Sequence, residues 1–371
     1  MYDCAIIGAG VVGLSVAYEL AQYGLQVCLI DRGQPGHEAS WAGAGILAAA
    51  DVETAATPYE QLGRLSSQLH ATWSVQLREE TGIDNGYRRC GGIHVARSDA
   101  DRVALDDLIQ YCQSCGIRYE SLSPSALVES VPSLTGPLGR GEIQAACYLP
   151  DEAQLRNPRH LQALIVACQA RGVDISTGVE VVGFETASRR VTTGHTSAGP
   201  VHAEQWCIAT GAWTRSLLES LGRSPILKPI RGQMVLFHAT EQLFIPIISE
   251  AARYLVPRDD GRILAGSTEE DVGFVKENTA EGVADLVAFA IGLVESLETV
   301  PIEKTWSGLR PSTADRLPYL GRMGDWDNVS VAAGHFRSGL WLSSGTAVVV
   351  GQLIRGEAPS IDLTEFSVDR S

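Results

Sequence analysis

The first thirty-one residues constrain the fold more than any other stretch. Ala5-Ile6-Ile7 is a short apolar strand, and Gly8-Ala9-Gly10-Val11-Val12-Gly13 follows it at GxGxxG spacing. Leu14 to Tyr23 then reads as a helix with Leu14, Ala17, Tyr18 and Ala21 on one face, stopped by Gly24. Val27-Cys28-Leu29-Ile30 is a second buried strand, closed by Asp31. Each part has a physical task. Gly8 permits the tight turn, Gly10 lets the backbone approach a pyrophosphate, and Gly13 lets helix and strand pack closely. The helix N-terminus offers unpaired N–H groups and the positive end of a dipole to the phosphates. Asp31 stands where a carboxylate accepts from ribose hydroxyls. Strand, glycines, helix, second strand and terminal acid together predict dinucleotide binding.

Asp31 argues against a 2′-phosphate but leaves NAD and FAD both open. The next segment decides between them. Glu38-Ala39-Ser40-Trp41-Ala42-Gly43-Ala44-Gly45-Ile46-Leu47 is a run of small residues directly after the second strand. Small side chains let the backbone lie against something flat and large. A tightly packed loop is the alternative reading; in this position the run resembles the segment that wraps the flavin in amine-oxidising flavoproteins.

At about 150 residues per domain, 371 residues suggest two or three domains. With 45% hydrophobic and 20% charged residues the chain can build a sizeable core, which excludes disorder, collagen and coiled coil. Twenty-nine basic residues against 44 acidic ones give a net charge of −15, the wrong sign for a nucleic-acid partner. Only Lys228, Lys276 and Lys304 are lysines, so an anion site would be built from arginine. The first residues show no basic n-region or cleavage pattern, so a secretory signal is not expected, and no apolar run reaches the ~18 residues of a membrane span. A cytoplasmic protein with reduced thiols is expected. Cys112 and Cys115 have CxxC spacing without zinc-ribbon or thioredoxin context, and read as ordinary helix thiols.

Further along, Gly91–Ala96 reads as a strand and Asp101–Cys115 as a helix. Asn157–Arg171 reads as a second helix, with Asn157 as its cap and Pro158 at its first position. Val173–Ile175, Val179–Phe184 and Val201–Ile208 follow as strands, the last ending in the small residues Ala209-Thr210-Gly211-Ala212. Arg231–His238, Tyr254–Pro257 and Arg262–Gly266 look antiparallel, with Asp259-Asp260-Gly261 turning the last two into a hairpin. Thr279–Leu297 reads as one long helix, and a helix is expected over Thr346–Ile354.

Two stretches near the C-terminus carry chemistry. In Trp306-Ser307-Gly308-Leu309-Arg310-Pro311-Ser312-Thr313, proline holds Arg310 in extended backbone, and its guanidinium is a planar fork matched to a carboxylate. By itself Arg310 reads more readily as a surface ion pair. Gly334-His335-Phe336-Arg337-Ser338-Gly339-Leu340 is a strand end and turn leading into a helix, whose N-terminus beside a flavin would stabilise negative charge on the reduced ring.

The N-terminal glycines, Ser40-Trp41-Ala42-Gly43-Ala44-Gly45-Ile46-Leu47, Tyr254-Leu255-Val256-Pro257-Arg258, the GLRPSTADRLPYLG stretch from Gly308 and the Gly334–Leu340 loop occur in this order along the whole chain. In this the sequence resembles the glycine oxidases, members of the D-amino-acid oxidase and sarcosine oxidase group. The resemblance implies mixed α/β and α+β architecture: a discontinuous Rossmann-like FAD-binding domain (residues 1–85, 142–222 and 308–371) with an inserted antiparallel-sheet substrate domain (86–141 and 223–307). It implies that FAD lies against Gly8, Gly10, Val11, Val12, Gly13, Asp31, Arg32, Ser40, Ala42, Gly43, Ala44, Gly45, Ile46, Val181, Thr210, Gly211 and Gly334 to Leu340. Arg310 matches the arginine that grips the substrate carboxylate, Tyr254 the tyrosine that assists it, and Arg337 a second arginine near the substrate. Tyr254 read alone is also a plain core aromatic.

The implied reaction is oxidation of glycine and other small amines, with hydride passing from Cα to flavin N5, O2 as acceptor and H2O2, imine, 2-oxo acid and ammonia as products. The imine would feed thiazole formation in thiamine biosynthesis, with a thiazole synthase downstream. No side chain need act as base, so His335 reads as a loop-positioning residue. No cysteine follows Cys207, which predicts noncovalent FAD; no metal is expected. Glu269 falls where the resemblance would put an apolar pocket residue, and its side chain is expected to point to solvent. A D-amino-acid dehydrogenase, a sarcosine oxidase and a non-catalytic FAD-carrying subunit are the alternative readings, and a homo-oligomer stays open.

Overall fold

A computed structural model describes residues 1–50 and 55–370. Two large sheets organise it. The first has six strands in the order Tyr319–Arg322, Val329–Ala333, Ala203–Ile208, Tyr2–Ile7, Val27–Asp31 and Asp174–Thr177. All neighbours are parallel except the pair formed by the first two strands. Parallel strands need helical crossovers on their faces, so the inner ones are buried on both sides and must be apolar throughout. Cys4, Ala5, Ile6 and Ile7 meet that requirement, all at 5% exposure or less. Helices Val11–Gln22, Asn157–Ala170 and Ser343–Ile354 share one core with this sheet.

The second sheet has eight strands in the order Ile302–Thr313, Leu227–His238, Arg262–Gly266, Arg253–Pro257, Ile247–Glu250, Gly92–Ala96, Ala145–Leu149 and Glu120–Ser121. It is antiparallel apart from the pairing of Ile247–Glu250 with Gly92–Ala96. Alternation sorts its side chains. Ile93, Val95, Val235, Ile248, Leu255 and Ile263 pack on helix Ala280–Leu293, whereas His94, Ser249 and Tyr254 face a cavity on the other side. The fold is thus mixed α/β and α+β: a Rossmann-like parallel sheet beside an antiparallel one.

Local expectations fare unevenly. The hairpin turn closes at Gly261, φ +81°, with Arg258 N–H donating to Arg262 O at 2.7 Å. Cys112 and Cys115 are buried thiols near the end of helix Asp99–Cys115. Three readings are corrected. Asn157 is not a helix cap: Arg156 holds the N-cap position, and the Asn157 side chain is buried and turned toward Ser40. The predicted helix Thr279–Leu297 is capped by Thr279, ends at Leu293, and continues only as a 3₁₀ turn from Glu295 to Thr299. The last helix begins at Ser343, three residues before the expected Thr346. Helix Pro58–Thr81 was not anticipated, although Thr57 and Glu60 form a capping box around Pro58.

Candidate active site

A cavity of about 840 Å³ is lined by residues of both sheets, in the range of ligand-enclosing pockets (roughly 300–1,000 Å³). At one end it meets the N-terminal turn. Gly8 holds φ +103°, and a Cβ there would sit 2.4 Å from Ala209 O. A Cβ on Gly13 would fall 1.9 Å from Gly8 O, which is the close helix–strand contact the motif requires. Gly13 itself does not line the cavity; Gly8, Gly10, Val11 and Val12 do. Asp31 accepts from Ala9 N–H at 2.7 Å and Gly33 N–H at 2.8 Å, which fixes its carboxylate at the cavity wall. Arg32 also reaches the wall, stacked over the Trp213 ring at 4.2 Å. Val181, Thr210 and Gly211 line this end.

The small-residue segment is held from behind. Asn157 Nδ2 donates to Ser40 O at 2.7 Å, Trp306 Nε1 to Ala42 O at 3.0 Å, and Arg258 to Ala44 O at 2.7 Å. Every second carbonyl is therefore tied outward, while Ser40, Ala42, Gly43, Ala44, Gly45 and Ile46 line the cavity. Ser40 Oγ also accepts from Val11 N–H at 2.9 Å, joining this segment to the first helix turn. Arg258 is almost wholly buried among neutral oxygens, and burial pulls its pKa down to about 9. Asn157 was read only as a helix cap, and Trp306 and Arg258 carried no role in the sequence; Arg258, the last residue of Tyr254-Leu255-Val256-Pro257-Arg258, was the visible signal.

Gly334 to Leu340 line the opposite wall. Phe336 holds φ +50° with its N–H on Pro311 O at 2.9 Å, and Tyr59 Oη lies 3.1 Å from Ser338 Oγ. His335 is buried against Thr346 Oγ1 at 3.1 Å, and burial holds its pKa down to about 3. Burial thus keeps the ring neutral, hydrogen-bonded to the helix that follows the loop. This loop, rather than the first turn of the following helix, lines the cavity: within that turn Gly345 N–H is already engaged by Ser66 Oγ at 3.2 Å.

At the sheet end stand Arg310, Tyr254 and Arg337. Arg310 lies on strand Ile302–Thr313 and donates to Ser267 Oγ at 2.6 Å and Thr268 O at 3.1 Å. Both acceptors are neutral, so its charge is solvated but not cancelled. Removal from bulk water lowers its pKa, an effect that Tyr254 opposes. The guanidinium lies over Gly232, where a Cβ would come within 2.1 Å of Nη2. Tyr254 Oη contacts Met234 Sδ at 3.6 Å. Arg337 donates to Ala252 O at 2.8 Å. Glu269 pairs with Arg316 at 3.1 Å and approaches Arg337 at 4.0 Å; it is turned to the surface and away from the cavity wall. A second pair on the wall, His94 Nε2 to Glu152 Oε1 at 2.8 Å, was not visible in the sequence because strand pairing creates it.

The family of FAD dependent oxidoreductases called DAO matches residues 3–353. The chain belongs to that family. It is 32% identical over 363 residues to a glycine oxidase from Pseudomonas aeruginosa, covering 98% of this chain and 97% of that protein. It is 32% identical over 378 residues to a bifunctional ThiO/ThiG protein from Nostoc sp., covering 100% of this chain and 55% of that protein. The crystal structure of glycine oxidase from Geobacillus kaustophilus superposes with a TM-score of 0.93 at 31% identity, covering 100% of this chain and 99% of that one. The chain is an FAD-dependent amine oxidase, and FAD is its cofactor. Among the described residues no helix is long and apolar enough to cross a membrane.

Proposed function

We propose that this protein oxidises glycine and other small primary or secondary amines, such as sarcosine and small D-amino acids, to the imine and then the 2-oxo acid, ammonia and H2O2. The observation that carries the reading is Arg310: a guanidinium on the wall of the dinucleotide cavity that donates to the neutral oxygens Ser267 Oγ and Thr268 O, with Tyr254 beside it. A carboxylate takes its remaining donors as a fork, and Tyr254 Oη stands beside it to add a hydrogen bond. The carbon next to that carboxylate is thereby held at a fixed depth in the cavity, and Arg337 covers the outer side. When bound, FAD supplies the two-electron acceptor and passes the electrons to O2. The glycine turn and Asp31 would hold its dinucleotide half, and residues 40–46 with 334–340 its ring. Residues 1–85, 142–222 and 308–371 would form the cofactor domain and 86–141 with 223–307 the substrate domain, although strand Ala145–Leu149 pairs within the antiparallel sheet and strand Ile302–Thr313 runs across the 307/308 boundary. The bifunctional relative supports a place upstream of a thiazole synthase in thiamine biosynthesis.

The test is anaerobic addition of glycine to the purified protein, followed by peroxide production in air with glycine, sarcosine, D-alanine and D-proline. Bleaching of the flavin and peroxide formation are expected; a flavin that none of the four reduces would overturn the reading. Two further results are expected. Acid precipitation should release all the yellow colour, because the eight cysteines end at Cys207 and all but the half-buried Cys90 are buried; colour left on the pellet would mean a covalent link. Gly232→Ala should displace the Arg310 fork and weaken glycolate binding by at least roughly tenfold, read as flavin spectral perturbation, since a shift of ~1 Å can cost ~100-fold.

A further inference from the structure

We propose that His94, held by Glu152, forms a second substrate-recognition point in the cavity, selecting amines whose substituent ends in a hydroxyl or carboxamide over those ending in hydrocarbon. The proposal rests on the reading of Arg310 and Tyr254 as the carboxylate site. Strand pairing sets His94 opposite Ser249, and Ser249 opposite Tyr254. Paired residues share a face, so the three side chains form one row across the sheet. All three line the cavity that Arg310 lines. At ~4.8 Å per strand, His94 stands roughly 10 Å from Tyr254 along that row. Glycine anchored at Arg310 is too short to reach it, but an amine substituent of three heavy atoms spans the gap over Ser249.

The chemistry at His94 is defined by its partner. Glu152 Oε1 engages Nε2 at 2.8 Å, and both residues are largely withdrawn from solvent, their side chains 18% and 8% exposed. Glu152 Oε2 is buried with no hydrogen-bond partner, so His94 is the only side chain that Glu152 bonds among the described residues. A carboxylate behind an imidazole fixes its orientation and tautomer. With Nε2–H committed to Glu152, Nδ1 is the nitrogen left to meet a ligand. It accepts when the ring is neutral and donates when the ring is protonated, a state Glu152 favours. A hydroxyl or a carboxamide, each both donor and acceptor, satisfies Nδ1 in either state. A methyl group in the same place would leave a desolvated nitrogen unpaired.

Two near-isosteric substrates, N-(2-hydroxyethyl)glycine and N-propylglycine, test this in the FAD-loaded protein. The expected ratio of their kcat/KM values is roughly tenfold in favour of the hydroxyl, one hydrogen bond's worth. His94→Leu should bring the ratio to about one, and His94→Asn, which keeps a hydrogen-bonding side chain, should retain part of it. A ratio near one in the unaltered protein overturns the inference without any variant being needed. So does a ratio that His94→Leu leaves unchanged. If neither compound nor glycine is oxidised, it is the carboxylate-site reading that fails; if glycine is oxidised and the ratio is one, only the His94 site fails.

Discussion

Arg310→Ala is expected to yield a folded, yellow protein that oxidises glycine at least roughly 100-fold less efficiently. A substrate as small as glycine offers little area to bury, so its orientation comes from its charged ends. A forked guanidinium–carboxylate pair contributes ~1.5–3 kcal/mol through hydrogen bonds to a charged group. The same pair sets the depth of Cα in the cavity, where ~1 Å of misplacement costs ~100-fold. The residues that would contact the cofactor lie on other elements, so flavin content should hold. Arg310→Lys should recover only part of the rate, because a point charge cannot supply two parallel bonds. Glycolate should bind the parent competitively and perturb its flavin spectrum, and the alanine variant should lose that response. Near-normal glycine oxidation by Arg310→Ala would move the carboxylate site to Arg337.

The second large effect is on acid stability. His70, His160 and His335 are buried rings whose pKa values burial depresses to about 4, about 3 and about 3. His70 donates to Leu340 O and Trp341 O, and His160 accepts from Asn85. An unfolded histidine titrates near 6.5. Between pH 6.5 and about 4 the unfolded chain therefore binds protons that the folded one refuses, and stability falls as pH falls. Each ring contributes up to about 1.4 kcal/mol per pH unit, so the three together approach about 4 kcal/mol per unit. His94 has the opposite shift, and its contribution changes above 6.5, as pH rises through its elevated folded pKa. Glu270, Asp260 and Asp315, held down to about 2, add their own loss only at lower pH. Urea midpoints at pH 7, 6 and 5 should drop steeply, and His335→Gln should remove about a third of the slope. A midpoint constant over that range would show that the rings take up protons while folded.

The residues that sequence could and could not reveal differ in a physical way. The glycine turn, Asp31 and the Gly334–Leu340 loop are local signals: each depends on backbone conformation within a few residues, and each meets the cavity where expected. Arg310 read alone favoured a surface ion pair; the resemblance of its surrounding stretch singled it out, and it lies on the cavity wall. Asn157 was misread because asparagine before proline is a strong local capping pattern, and a distant carbonyl at Ser40 outbid it. Glu269 does point to the surface, as expected, but its partners Arg316 and Arg337, 47 and 68 residues away in sequence, could not be read locally. His94 and Glu152 meet because strand Gly92–Ala96 pairs antiparallel with Ala145–Leu149, just before Glu152, a pairing across 58 residues that no local pattern encodes.

The outward ties on Ser40, Ala42 and Ala44 have a consequence for the order of assembly. Their donors lie 117, 264 and 214 residues further along the chain. Contacts this remote form late, after shorter loops have closed. During synthesis the segment leaves the ribosome long before Trp306 exists, so until then the Ala42 carbonyl lacks its donor and turns to water. The N-terminal glycine turn can take shape early, from neighbours it already has. The groove for the ring cannot, and maturation of the cofactor site is therefore timed by the C-terminal third of the chain.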